Sequence, residues 1–187
     1  LYKYSIFFGK LSLKLRKDFN AMRLLLASSF EIINLNRNAE QIISNPRRTN
    51  PYFMKFLKMR LSLQDSLKND NDILEELKKL LEDYPKNYEI KILLADKYRS
   101  KKLFTESIKL YSQIIDNEPF QNKWSIFYSR GIAFERLNKW EKAESDLKMA
   151  MKLKPDDPYV INYLAYSWLE RKKNIEEALD LLEKAVE

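Results

Sequence analysis

The chain has 187 residues, 45% hydrophobic and 33% charged with only 2 glycines and 6 prolines, which allows a packed helical core and excludes wholesale disorder and turn-rich sandwiches or barrels. Cysteine and histidine are both absent, so disulfides, thiolate zinc sites, cysteine nucleophiles and the commonest general base and metal ligand are excluded. The net charge of +7 is scattered along the chain among 27 acids, the pattern of an ordinary solvated surface. The first element, residues 1–17, contains LYKYSIFFGKLSLKL, an apolar run broken by Lys10 and Lys14 and without the small-residue cleavage site of a signal peptide. No run of 18 or more apolar residues follows anywhere, so no membrane-spanning helix is expected. The lack of an initiating methionine before Leu1 reads as a processed or trimmed product.

Residues 18–50 carry Leu26, Ala27 and Phe30, then Ala39 and Ile43 before Pro46. Residues 51–86 have helical periodicity, with Ile73 where the other segments place a small residue, and Pro85 at the end. Residues 87–121 carry Leu94, Ala95 and Tyr98, then Phe104, Ser107, Tyr111 and Pro119. Residues 122–157 carry Gly131 and Phe134, then Trp140, Ala143, Leu147, Ala150 and Pro155, with Arg130 in the slot that is leucine elsewhere. Residues 158–187 carry Leu164, Ala165 and Trp168, then Ile175, Ala178, Leu182 and Ala185. Short polar turns are expected at Arg99–Lys102, Arg136–Lys139 and Arg171–Asn174, and Asp72 and Asn174 are expected N-caps, each with a glutamate three residues on.

The spacing is a repeat. Ala143 and Ala150 recur as Ala178 and Ala185 after 35 residues (178−143, 185−150), and Pro85, Pro119 and Pro155 follow one another at 34 and 36 (119−85, 155−119). The physical reading is a helix hairpin repeated along the chain. Gly131, Ala143, Ala165 and Ala178 are expected at helix crossings, where a small side chain lets a neighbouring aromatic approach. The prolines end the second helices.

These residues, in this order and spacing, resemble the tetratricopeptide repeat (TPR) family, most closely from Phe127 to Pro155, strongly after Tyr88 and weakly before it. The style of the repeats is similar to that of bacterial, alphaproteobacteria-like members. The resemblance implies an all-α, right-handed superhelical solenoid of antiparallel hairpins. It would form one array over 1–187, with 1–17 the second helix of an incomplete repeat, 18–50 and 51–86 degenerate repeats, and 87–121, 122–157 and 158–187 repeats proper. It also implies a non-catalytic scaffold that holds a partner peptide or helix on the first helices, with no cofactor and no small-molecule substrate. The expected groove residues are Ile92, Asp96 and Arg99, then Tyr128, Ile132 and Arg136, then Asn162 and Tyr166 with Glu170 at the edge. Tyrosines beside an arginine and an asparagine offer rigid aromatic area and handles for backbone amides or carboxylates. The clamp by which some members hold a terminal carboxylate needs lysines and asparagines where this chain has Ile92, Leu93, Tyr128 and Ser129, so that clamp is not expected. The sequence does not fix the compartment; a soluble protein of the bacterial periplasm or of a membrane-associated complex is expected over a cytoplasmic one.

Other chemistries fit the residues poorly. Glu75–Glu76 and Glu176–Glu177 are sequence neighbours on one helix and point apart, which does not suit paired acid–base work. Asn69–Asp72 lacks the glycine and distal glutamate of a calcium loop, and with glycine only at 9 and 131 there is no phosphate loop. The alternative function is single-stranded RNA binding by a helical repeat, since the chain is basic and has groove tyrosines. Its basic groups, Arg47–Arg48, Lys101–Lys102 and Arg171–Lys173, mostly fall in turns, and no regular pairs of base-reading polar residues recur. Finally, Phe7, Phe8, Leu11 and Leu15 at one end and Leu179, Leu182 and Val186 at the other form apolar faces, expected to be covered by further repeats or another subunit.

Overall fold

A computed structural model describes residues 2–43, 48–67, 71–117 and 123–184, with side chains described except at 64–67, 71, 72 and 184. All regular structure among these residues is helical: α1 (Tyr2–Leu15), α2 (Asn20–Ile32), α3 (Asn36–Ile43), α4 (Phe53–Leu67), α5 (Asn71–Asp83), α6 (Tyr88–Ser100), α7 (Phe104–Asn117), α8 (Trp124–Arg136), α9 (Trp140–Leu153), α10 (Pro158–Glu170) and α11 (Ile175–Lys184). None of these helices is long and apolar enough to cross a membrane. The chain forms two compact units, Leu1–Glu75 and Glu76–Glu187.

In the first unit α2 packs against α1 and α3, and α3 against α4. Its core joins Leu26, Ala27 and Phe30 of α2 to Ala39 and Ile43 of α3 and Phe56 and Leu63 of α4. Gly9 brings α1 close, because a methyl group there would stand 3.1 Å from Leu26 Cδ1. In the second unit α6 packs on α7, α8 on α9 and α10 on α11, while α7 also packs on α8 and α9 on α10. Ala143, Ala165 and Ala178 are fully buried in one cluster with Trp140, Leu147, Leu164 and Trp168. A methyl group at Gly131 would lie 3.1 Å from Leu147 Cγ and 3.3 Å from the Ala143 carbonyl oxygen, so α8 and α9 touch backbone to side chain at that point. The small residues are the helix crossings.

Each first helix of these hairpins ends in the same way. The aromatic of the small–aromatic pair lends its carbonyl to an N–H five residues on: Leu35 to Phe30 at 2.9 Å, Leu103 to Tyr98 at 2.8 Å, Lys139 to Phe134 at 2.9 Å and Lys173 to Trp168 at 3.0 Å. The residue before each of these donors, namely Asn34, Lys102, Asn138 and Lys172, has φ of 60, 61, 58 and 52°. This is the left-handed stop that usually selects glycine. The turns therefore begin later than the sequence spacing suggests, with Arg99 still in α6 and Arg136 still in α8. At the lysines the strain is intrinsic to an L side chain, whereas asparagine tolerates it. Lys102→Gly is expected to raise stability by about 1 kcal/mol and Asn138→Gly by less, read from denaturant midpoints. A loss of stability in Lys102→Gly would contradict the left-handed assignment.

The N-caps also differ from expectation. α5 starts at Asn71, so Asp72 lies inside the helix. Asn174 precedes α11 and its carbonyl accepts from the Ala178 N–H at 2.9 Å, but with φ at 45°. Side-chain caps come instead from Asn87, whose Oδ1 accepts from Ile90, and Asp157, whose Oδ1 accepts from Tyr159 and Val160. Pro46, Arg47, Asn69, Asp70, Pro119, Ala185 and Val186, each used in the sequence reading, lie outside the described residues.

Candidate functional site

The two first helices α8 and α10 flank a groove of about 340 Å³ in the second unit. On α8 its wall is Tyr128, Glu135 and Arg136; on α10 it is Tyr159, Asn162, Tyr163, Tyr166, Ser167 and Glu170. The α10 side follows from helical spacing, since 159, 162, 163, 166 and 170 share one face of a helix. Opposite that face, Val160, Ile161, Leu164, Ala165 and Trp168 are buried and fix the rotation of α10. Tyr128 and Tyr163 meet edge to face, centroids 5.8 Å apart at 84°, and form the floor. Tyr159 and Tyr166 stand out at 74% and 59% exposure.

Glu135 organises the polar end. Its Oε1 accepts from Arg171 Nη2 at 2.8 Å, and its Oε2 accepts from the Tyr163 hydroxyl at 3.3 Å with Arg136 Nε at 3.6 Å. Arg171 also donates to the Ser167 carbonyl and lies 4.2 Å from the Trp140 ring centroid. Burial first, and then the Glu135 carboxylate, push the Tyr163 phenol up to about 12, so it remains a neutral donor across physiological pH. Burial likewise raises Tyr128, against the opposing pull of Arg99.

The expected groove residues divide. Tyr128, Arg136, Asn162, Tyr166 and Glu170 line this one cavity. Ile92 packs with the cluster of Ala95, Tyr111, Ile114 and Ile126. Asp96 and Arg99 turn toward α7: the Tyr111 hydroxyl donates to Asp96 Oδ1 at 2.6 Å, and Arg99 Nε donates to the Tyr111 oxygen at 3.3 Å. Ile132 is half-buried on α8 outside the cavity wall. The sequence reading missed Glu135, Tyr159, Tyr163 and Ser167 as wall residues. Carrying the Asn162–Tyr166 stripe back one turn finds Tyr159. Glu135 has no such signal, because its place depends on Arg171 reaching back from the end of α10.

The basic groups of the RNA reading are differently placed. Arg171 is engaged with Glu135 and Trp140, and Lys102 and Lys172 are the left-handed residues of the turns. Among the described residues no group of three carboxylates stands ready to hold a metal ion.

No protein-family model matches the chain. Solved structures do resemble it. "MamA 41-end from Desulfovibrio magneticus RS-1" has 12% identity and a TM-score of 0.68 over 90% of this chain and 94% of that one. TTC0263, a thermophilic TPR protein of Thermus thermophilus, has 22% identity and a TM-score of 0.67 over 88% of each chain. YrrB, a TPR protein with an unusual peptide-binding site, has 14% identity and a TM-score of 0.62 over 86% of this chain and 81% of that one. The fold is that of a tetratricopeptide-repeat protein.

Proposed function

We propose that the chain is a protein-interaction scaffold that holds a segment of a partner protein in the groove between α8 and α10. The observation that carries this is the wall itself: four tyrosines, two of them more than half exposed, with an asparagine and an arginine between first helices. Rigid aromatics with polar tips are the side chains on which peptide and protein contacts concentrate their energy. The likeness to YrrB, described as having an unusual peptide-binding site, is in keeping with that reading. The same proposal divides the chain into repeats over 18–50, 51–86, 87–121, 122–157 and 158–187. It also assigns the exposed Phe7, Phe8, Leu11 and Leu15 of α1 and Leu179 of α11 to contacts with further helices.

The test uses the exposed positions. Tyr128 is part of the floor and its loss would disturb packing, so the informative variant is Asn162→Ala with Tyr166→Ala. Captured partner is expected to fall about tenfold or more, with the melting temperature unchanged. Equal recovery would mean that this groove is not the recognition surface. Tight, sequence-selective binding of single-stranded RNA at physiological salt would replace the scaffold reading, since scattered charge should give only weak, salt-sensitive binding.

A further inference from the structure

Resting on that reading, we infer that the segment held between α8 and α10 is a proline-rich stretch in the polyproline II conformation. Among the described residues the groove wall contains no aliphatic side chain; it is tyrosine, asparagine, serine, arginine and glutamate. An amphipathic helix buries leucines and isoleucines and needs an apolar floor to receive them. A polyproline helix presents flat rings and bare carbonyls, has few N–H groups of its own, and docks on aromatic ridges that carry donors.

Charge and hydrogen-bond capacity match the second ligand. Of the two carboxylates in the wall, Glu135 already accepts from Arg171 and from Tyr163 and has Arg136 beside it, while Glu170 stands exposed at the edge with Arg171 at 3.9 Å. The capacity of Glu135 is taken up within the protein. The exposed donors toward the groove include the Asn162 amide, the hydroxyls of Tyr159 and Tyr166 and the Arg136 guanidinium. With Glu135 engaged and Glu170 only at the edge, donors predominate along the middle of the wall, which suits an acceptor-rich and donor-poor ligand. Proline residues have no backbone N–H, so nothing on such a ligand is left seeking an acceptor.

The length agrees as well. Tyr128 to Arg136 covers eight steps of α8 and Tyr159 to Glu170 eleven of α10, roughly 12 and 16 Å at the helical rise. At about 3.1 Å per residue a polyproline segment running along the groove would place four or five residues against it. Tyr159 and Tyr166 lie two helical turns apart, about 10 Å, close to one full polyproline turn of about 9 Å, so each ring can meet the same face of the ligand.

The experiment titrates the full chain against two fluorescein-labelled peptides, one of repeated Pro-Pro-Ala and one an amphipathic leucine–alanine helix, read by fluorescence anisotropy. Saturable binding of the proline peptide is expected, weakened about tenfold by Tyr159→Ala and by Tyr166→Ala and several-fold by Asn162→Ala. The helical peptide is expected to bind at least tenfold more weakly. Preferential binding of the helical peptide, lost in Tyr166→Ala, would overturn the polyproline assignment and leave the peptide groove standing. Binding of neither peptide, or proline-peptide binding unaffected by all three variants, would overturn the assignment too. In that case the capture experiment with Asn162→Ala and Tyr166→Ala decides separately whether the groove recognises a protein at all.

Discussion

Replacing Asp146 by alanine is expected to destabilise the second unit by about 3–5 kcal/mol, the largest loss from any single change outside the aromatic core. Arg130 on α8 donates Nε to Asp146 Oδ2 at 2.7 Å and Nη2 to Oδ1 at 2.8 Å, a two-pronged pair with the α9 carboxylate. Its Nη1 reaches Ser112 on α7 at 2.9 Å, and the guanidinium lies 5.7 and 5.6 Å from the Phe127 and Phe134 ring centroids. The Asp146 side chain is 7% exposed and that of Arg130 16%, so water cannot replace the lost partner. Removing the carboxylate strands a buried guanidinium. The three tryptophans, at 124, 140 and 168, all belong to the second unit, so tryptophan fluorescence during denaturation reads this loss without the other unit. A shift below about 1 kcal/mol would show that the pair is held in solvent and is not part of the packing.

The repeat supplies the control. The two positions sixteen apart are Leu26 and Ile42 in the α2–α3 hairpin and Leu94 and Leu110 in α6–α7; in α10–α11, whose turn has one extra residue, they are Leu164 and Leu181. Of these four hairpins, α8–α9 alone replaces the apolar pair, with Arg130 and Asp146. The double variant Arg130→Leu with Asp146→Leu restores the pattern of its neighbours and should fall within about 1 kcal/mol of the parent, because a buried ion pair seldom outperforms a packed apolar pair. A large loss in both the single and the double variant would place the stability in the Ser112 and phenylalanine contacts of Arg130.

That comparison also marks what the sequence can and cannot tell. Arg130 stands out as a break in the leucine pattern, but nothing in its immediate neighbours says that Asp146 is the compensation; only the hairpin brings residues sixteen apart together. The small residues were legible for the opposite reason. Gly131, Ala143, Ala165 and Ala178 recur at a period that only a helix crossing demands, and all four are buried at crossings. The left-handed stops were hidden because lysine and asparagine occupy them, where glycine would have announced them. Around α1 the spacing repeats: Leu15 to Asn20 matches Leu153 to Pro158, both five residues, and a constant offset of 138 places Ala27 on Ala165 and Phe30 on Trp168, which is the ground on which α1 is proposed as a second helix. Within the groove, Asn162, Tyr166 and Glu170 of α10 and Tyr128 and Arg136 of α8 were legible from helical spacing, whereas Ile132 of the same α8 stripe lies outside the wall. The turn of Asp96 and Arg99 toward Tyr111 was not legible, since it depends on a buried hydroxyl supplied by the next helix.

Ala143→Leu is expected to cost about 1–3 kcal/mol, and the reason lies in what the alanine faces. Its side chain is fully buried in the cluster of Trp140, Leu147, Leu164, Ala165, Trp168 and Ala178, and its own carbonyl oxygen would stand only 3.3 Å from a methyl group at Gly131 on α8. Three more carbons must therefore displace either the α8 backbone or the Trp168 ring. Trp168 is fixed by its indole N–H, which donates to Glu144 at 2.9 Å, and by Lys148, whose ammonium lies 5.2 Å from the ring centroid. Moving the ring would strain both of these part-buried contacts. The melting temperature followed by tryptophan fluorescence should fall by roughly 2–12 °C, while Met149→Leu, 40% exposed on the same helix, should leave it nearly unchanged. If Ala143→Leu melts like the parent, the cluster has space that a close-packed crossing does not leave, and the small residue at 143 needs another explanation.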